Sequence, residues 1–207
     1  MSLVHLERPA TGQEQGNLVL LHGRGADEHD LYGLFDILDP DKRLRGITVA
    51  GPLSLPPGGR HWYVVPRVGY PEPDTFRASY DALGQLLDDE LGLDWSRTVV
   101  GGFSQGTVMS YALGLGAGRP RPAGILAFSG FIPTVDGWEP DLESRRGLPA
   151  FIAHGALDPV IDVEFGRDAR ARLEQAGLAV DYHETPMQHT IDPRVVPDAV
   201  RWVGDAV

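Results

Sequence analysis

The chain has 207 residues, 42% of them hydrophobic, which fits one domain with a single sizeable core. Its formal net charge of −11 disfavours nucleic acid as a partner and stable association with anionic membranes. The absence of cysteine excludes disulfides, thiolate metal ligands and cysteine nucleophiles. No apolar run is long enough to span a bilayer and no secretory signal is evident, so a cytoplasmic location is expected.

Apolar runs and helical patterns alternate along most of the chain. Strands are predicted at residues 18–21, 46–50, 98–101, 124–128, 150–153 and 179–184, with an antiparallel edge strand at 3–7. Helices are predicted at residues 28–38, 75–91, 105–115, 164–176 and 195–203. This alternation predicts an α/β fold with a mostly parallel central sheet and helices on both faces. Residues 52–60 and 131–147 are predicted loops at the site face, and residues 1–207 are expected to form one domain without a separate lid.

A candidate nucleophile lies in the pentapeptide Gly102-Phe103-Ser104-Gln105-Gly106, directly behind the predicted strand 98–101. The pentapeptide by itself fits equally well a turn serine in a glycine-rich loop. A strand before it and a helical segment after it favour a sharp turn that lifts the Ser104 hydroxyl off the end of the sheet.

A serine nucleophile needs a base, and the base needs an orienting acid. In strand-turn-helix hydrolases these partners follow the serine in the order acid, then histidine, each behind a later strand. Asp158 follows the strand at 150–153, and His189 follows the strand at 179–184. They are the predicted acid and base.

Other acids and histidines fit these roles less well. Asp162 is placed to cap the helix that follows it, and Asp192 is too close to His189 to come from a separate strand loop. His22 and His154 end strands and are typical loop-bracing donors. The remaining histidines have no catalytic context: His5, His29, His61 and His183.

Attack on a carbonyl also needs donors for the developing oxyanion. The backbone N–H of Gln105, at a helix N-terminus, is one predicted donor. The backbone N–H of Arg24, in the His-Gly-x-Gly segment that ends the strand at 18–21, is the other, although such a segment also fits a glycine-rich turn with no ligand. Neither glycine loop carries a nucleotide-binding pattern, and no residue cluster has convincing metal-ligand spacing. No cofactor and no metal are therefore expected.

Several blocks together resemble the phospholipase/carboxylesterase family, which includes acyl-protein thioesterases and small bacterial carboxylesterases. The blocks are residues 22–28, 60–63, 102–106, 129–130 and 154–160, and His189. The resemblance runs from about Leu18 to the C-terminus and implies an α/β-hydrolase fold and cofactor-free hydrolysis of esters or thioesters. It implies a triad and an oxyanion hole at the residues already singled out, and it places Trp62 beside the acyl pocket. Relatives that form dimers also make a homodimer plausible.

One departure from the family concerns Gln188, because many members have glycine before the histidine. If that position needs a positive φ, glutamine is strained there.

Three functions fit these residues. Hydrolysis of soluble short- to medium-chain esters is preferred, because the acidic chain shows no basic or amphipathic surface for docking to aggregated lipid. An acyl-protein thioesterase or lysophospholipase is the alternative, because the same triad cleaves thioesters. A non-catalytic binding module on the same fold is the alternative of another class. Such a module would have no reason to keep nucleophile, base, acid and both oxyanion loops.

Overall fold

The computed structural model describes residues 3–207, which are organised around a seven-stranded sheet in the order β1-β3-β2-β6-β7-β8-β9. Its strands are β1 (His5–Arg8), β2 (Gly16–Leu21), β3 (Leu44–Val49), β6 (Thr98–Phe103), β7 (Gly124–Phe128), β8 (Pro149–Gly155) and β9 (Ala179–Thr185). Strand β1 pairs antiparallel with β3, and the other neighbouring pairs of this sheet are parallel. A separate hairpin joins β4 (Leu53–Ser54) to β5 (Arg60–His61). The predictions of a mostly parallel sheet and an antiparallel edge strand are confirmed.

Helices cover both faces of the sheet. They are α1 (Phe35–Leu38), α2 (Pro73–Gly84, continued by a π-helical segment to Glu90), α3 (Gln105–Leu115), α4 (Val163–Gln175) and α5 (Val196–Ala206). On β2, Leu18 and Leu20 pack in a cluster with residues of α1 and α5, whereas Val19 and Leu21 pack with α2, α3 and α4. This alternation arises because successive strand residues point to opposite faces, and both faces are buried. None of the helices within residues 3–207 is long and apolar enough to cross a membrane.

The predicted helix at 28–38 is wrong for its first half. Only a 3₁₀ turn at Tyr32–Leu34 and the short α1 form there. The Asp27 carboxylate accepts the backbone N–H of His29 at 2.9 Å, a local bond that competes with helix formation. The chain just before is tied to the β4–β5 hairpin, because Gly25 donates its N–H to the Arg60 carbonyl and Arg60 donates to the Ala26 carbonyl. The predicted loop at 52–60 contains most of that hairpin.

Candidate active site

Ser104 lies on a strained turn between β6 and α3, with a φ of 56°. A Cβ at Gly106 would lie 1.8 Å from the Leu21 carbonyl oxygen, and one at Gly102 would lie 2.6 Å from the same oxygen. Any side chain at these two positions would therefore push α3 and β6 away from β2. The glycines let the strand and helix approach closely enough to hold Ser104 at the carboxyl edge of the sheet, as its sequence context predicts.

His189 stands between Ser104 and Asp158. Its Nε2 is 2.9 Å from Ser104 Oγ, and its Nδ1 is 2.6 Å from Asp158 Oδ2. A carboxylate oxygen only accepts hydrogen bonds, so Nδ1 carries the proton and Nε2 is the free acceptor facing the serine hydroxyl. The structure thus brings together the three residues that the sequence singles out, in an order of contacts suited to proton transfer from serine to histidine.

The Asp158 carboxylate is fixed by its own loop. Its Oδ1 accepts the backbone N–H groups of Val160 at 2.8 Å and Ile161 at 2.9 Å. His154 Nε2 lies 2.9 Å from the Ile161 carbonyl oxygen and 3.6 Å from Asp158 Oδ2. Burial lowers the pKa of His154, so its ring is neutral and donates from Nε2 to that carbonyl. His154 thus braces the Asp158 loop.

The two competing acids have other partners. Asp162 caps α4 by accepting the backbone N–H of Glu164 at 2.9 Å, as predicted. Asp192 is held by Arg194, whose Nη2 lies 2.6 Å from Asp192 Oδ2.

The loop before His189 does not need glycine at Gln188. In residues 3–207 the non-glycine residues with positive φ are Lys42, Ser104 and Ser129, so Gln188 is not strained in this way. The close approach is on the facing strand, where a Cβ at Gly155 would lie 2.3 Å from the Gln188 carbonyl oxygen. Glycine at the end of β8 is therefore needed because any larger residue there would collide with the backbone of the loop that carries His189.

The two expected oxyanion donors have free backbone N–H groups. Arg24 N–H has no hydrogen-bond partner within the described chain, and Gln105 begins α3, where the first N–H groups lack intrahelical acceptors. His22 fixes the direction of the Arg24 donor, because its Nδ1 is 2.7 Å from the carbonyl oxygen of Gly23, which belongs to the same peptide unit as Arg24 N–H. His22 Nε2 accepts the Gly51 N–H at 2.8 Å, and burial lowers the pKa of this histidine. His22 is thus a neutral Nδ1 donor.

The prediction for Trp62 needs correction. Its side chain is fully buried, so in this conformation the ring cannot contact an acyl group. Instead, Trp62 Nε1 donates to the His22 carbonyl at 2.9 Å. The backbone N–H of Trp62 donates to the side-chain Oε1 of Gln105 at 3.0 Å. Trp62 therefore bonds to both segments that carry the expected oxyanion donors, and sequence reasoning missed these contacts.

A cavity of about 460 Å³ opens beside Ser104. Most of its wall is apolar and comes from the chain after β5, from Phe131 and from the Asp158 loop. The apolar and aromatic lining residues are Tyr63, Val64, Val65, Val68, Phe131, Val160 and Ile161. Arg24 and His61 are its basic lining residues.

Asp27, Glu28 and His29 form a group that could hold a cation, with one ligand atom from each within 4.8 Å of the others. None of the three lines the cavity beside Ser104.

The arrangement defines the class of protein. A serine on a strand-to-helix turn of a mostly parallel sheet, facing a histidine and an aspartate from later strand loops, is the architecture of an α/β hydrolase. A family model described as phospholipase/carboxylesterase matches residues 7–204. The chain belongs to the phospholipase/carboxylesterase family, and it is a carboxylic ester hydrolase.

Known proteins show the same likeness. Acyl-protein thioesterase 1 of Debaryomyces hansenii is 26% identical over 81% of this chain and 75% of that protein. Lysophospholipase-like protein 1 of Mus musculus is 27% identical over 98% of this chain and 92% of that protein. The Bacillus cereus carboxylesterase structure superposes with a TM-score of 0.85 at 23% identity, covering 99% of this chain and 95% of the other. This last likeness supports the α/β-hydrolase fold.

Proposed function

We propose that this enzyme is a serine carboxylesterase that hydrolyses soluble short- to medium-chain esters through Ser104, His189 and Asp158. The observation that carries the proposal is the position of His189, with one ring nitrogen 2.9 Å from Ser104 Oγ and the other 2.6 Å from Asp158 Oδ2. These distances lie within the range for proton transfer by a general base.

The proposed acylation begins when Ser104 Oγ attacks the ester carbonyl carbon and its proton passes to His189 Nε2. The carbonyl oxygen becomes an oxyanion and accepts the backbone N–H groups of Arg24 and Gln105. Asp158 holds the ring and stabilises the imidazolium. Collapse of the tetrahedral intermediate breaks the ester bond, and His189 returns the proton to the leaving alkoxide. The products of this half-reaction are an alcohol and an acyl-Ser104 ester.

Deacylation repeats these steps with water. His189 takes a proton from a water molecule, the resulting hydroxide attacks the acyl carbon, and the same two N–H groups hold the oxyanion. The Ser104–acyl bond then breaks and His189 returns the proton to Ser104 Oγ, which releases the carboxylic acid and restores the enzyme.

The cavity supports small soluble substrates. Its apolar wall suits an acyl chain, and Val64 and Val65 are exposed, so the cleft is open to solvent. The net charge of −11 weighs against docking to anionic lipid aggregates. A dissolved ester can enter such a cleft directly.

A thioesterase is the second candidate. The observation that favours it is the similarity to relatives such as acyl-protein thioesterase 1 of Aspergillus fumigatus, 25% identical over 96% of this chain. The proposed chemistry attacks either kind of carbonyl, because thiolates also leave from a tetrahedral intermediate.

A chain-length series distinguishes the two candidates. We expect kcat/KM for p-nitrophenyl esters to peak at butyrate or octanoate and to exceed that for palmitoyl-CoA, with Ser104→Ala as the blank. A palmitoyl-CoA value above those of all the short esters would instead support the thioesterase. Retention of ester hydrolysis by Ser104→Ala would contradict both.

A further inference from the structure

The side chain of Arg24 is an unpaired cation at the cleft. It is exposed and lines the same cavity as Ser104. Within residues 3–207 it has no hydrogen bond, ion pair or ring contact. In this acidic chain many other arginines bind a carboxylate, as Arg45 does with Glu7 and Arg167 with Glu184. The Arg24 guanidinium, unlike these arginines, is therefore available to bind a ligand.

No carboxylate of residues 3–207 lies within ion-pair distance of this charge. No Asp or Glu lines the cavity. The two acids that follow in the same loop contact His29, with Asp27 Oδ1 at 3.4 Å and Glu28 Oε1 at 3.6 Å from His29 Nδ1. The hairpin adds basic groups to this side of the cleft, because the bonds of Gly25 and Ala26 to Arg60 bring residues 60 and 61 beside the loop. His61 lines the cavity, and Arg60 has the Ser54 hydroxyl as its polar partner at 3.4 Å. One end of an otherwise apolar cleft is thus basic.

The position of the cation relative to the chemistry fixes what it can bind. In the proposed mechanism the backbone N–H of Arg24 contacts the substrate carbonyl oxygen. The Arg24 side chain therefore begins close to the reacting carbonyl. Its three methylenes allow the guanidinium to reach a group a few bonds from that carbonyl. A guanidinium offers a planar fork of donors that matches a carboxylate in two parallel hydrogen bonds.

We propose that Arg24 is a specificity residue and that the preferred substrates are esters carrying a free carboxylate a few methylenes from the scissile carbonyl. The proposal rests on the proposed function, because it places these anionic esters at Ser104. The carboxylate can belong to the acyl part, as in a monoester of a dicarboxylic acid, or to the alcohol part, as in an acylated hydroxy acid. The shared chemistry is one negative charge held by Arg24.

The test compares matched charged and neutral substrates. For the acyl side, monoethyl adipate is compared with ethyl hexanoate; for the alcohol side, 6-acetoxyhexanoate is compared with hexyl acetate. The kcat/KM of each is measured by pH-stat at fixed ionic strength, and the ratio of charged to neutral substrate is the readout. A general disturbance of the oxyanion loop affects both members of a pair and cancels in this ratio.

Three variants isolate the charge. Arg24→Gln removes the positive charge while keeping a polar side chain and the backbone N–H. Arg24→Lys keeps the positive charge but lacks the planar pair of guanidinium donors. Arg201→Gln is the control for net charge. It removes an arginine from α5, which packs on the face of the sheet opposite the one that contacts Tyr63, Phe131 and Ile161 of the cavity wall. We expect Arg24→Gln to lower the ratio for at least one pair by about 5- to 50-fold, between the effects of an exposed ion pair and a desolvated charged hydrogen bond. Arg24→Lys should lower it less, and Arg201→Gln should leave it unchanged.

The pair that responds identifies the side of the substrate that carries the carboxylate. An unchanged ratio in Arg24→Gln for both pairs would overturn the proposal, as would an equal fall in Arg201→Gln. If ethyl hexanoate and hexyl acetate are still hydrolysed in a Ser104-dependent way, such a result rejects the Arg24 inference alone. If Ser104→Ala hydrolyses them equally well, the proposed function itself has failed.

Discussion

The side-chain amide of Gln105 holds Trp62 in place: its Oε1 accepts the Trp62 backbone N–H at 3.0 Å, and its Nε2 donates to the carbonyl of the next residue, Tyr63, at 3.0 Å. Trp62 in turn donates from its indole to the His22 carbonyl, and His22 orients the Gly23–Arg24 peptide. The two expected oxyanion donors are therefore connected through one buried network. We expect its members to act by positioning those donors.

Gln105→Ala should lower kcat with a smaller effect on KM, because it frees the chain at Trp62 and Tyr63 while keeping its own N–H. The loss should stay below the roughly 10² to 10³ expected for removing one oxyanion donor. The buried Trp62 N–H loses its partner, whereas the Tyr63 carbonyl oxygen still has His61 Nδ1 at 3.2 Å, so we also expect destabilisation of about 1 to 3 kcal/mol. Steady-state kinetics and thermal unfolding measure both effects. Unchanged kcat in a destabilised variant would show that the network is structural only.

Trp62→Phe should lower kcat by a similar factor on acetate, butyrate and octanoate esters. The substitution keeps an aromatic ring but deletes the Nε1–H that holds the His22 carbonyl. Because the side chain is fully buried, chain-length preference should change little. A shift in that preference with kcat preserved would return Trp62 to the acyl pocket, where the family resemblance places it.

Arg24→Pro should cost roughly 10² to 10³ in kcat on a neutral ester, because proline lacks the N–H expected to face the oxyanion. Arg24→Ala keeps that N–H and should lose far less on the same substrate. Circular dichroism controls for folding. Equal inactivation of two folded variants would mean that the guanidinium takes part in the chemistry of neutral esters.

Stability should fall as the pH drops below about 6.5, the ordinary pKa of histidine in an unfolded chain. Burial lowers the pKa of His22 and His154 in the folded protein, so the unfolded chain takes up protons first. Each histidine can remove up to about 1.4 kcal/mol of unfolding free energy per pH unit in this window. Denaturant unfolding at several pH values between 7.5 and 5.5 measures how the free energy of unfolding changes with pH. This change should be smaller for His154→Gln than for the parent. An identical pH dependence of the unfolding free energy in the two proteins would mean that His154 does not contribute to it.

The residues beside Ser104 were predictable because each follows a strand in the sequence. The glycines around Ser104, the proline after Asp158 and the strand before His189 are all local signals, and parallel strands carry their following loops to the same edge of the sheet. The helices at 105–115 and 164–176 also followed from local pattern, and α3 begins and ends at the predicted residues.

Long-range contacts explain what the sequence did not reveal. Trp62 donates to a carbonyl 40 residues earlier in the chain, and nothing in its neighbourhood marks that partner. Besides the local Asp27–His29 bond, the first half of the predicted helix at 28–38 follows a segment, Gly25 and Ala26, that is bonded to Arg60, and only the fold creates those bonds. The clearance for Gln188 comes from Gly155 on another strand. Each of these features depends on which residues meet across the structure.

The central claim, that Ser104 is a nucleophile activated by His189, is tested most directly by intact-mass analysis with a fluorophosphonate probe. We expect one covalent adduct, mapped by peptide digestion to Ser104, and none in Ser104→Ala. Labelling of His189→Ala should be strongly slowed, in parallel with a kcat loss on the order of 10⁶ in either variant. An adduct on another residue, or undiminished labelling of folded His189→Ala, would contradict the account.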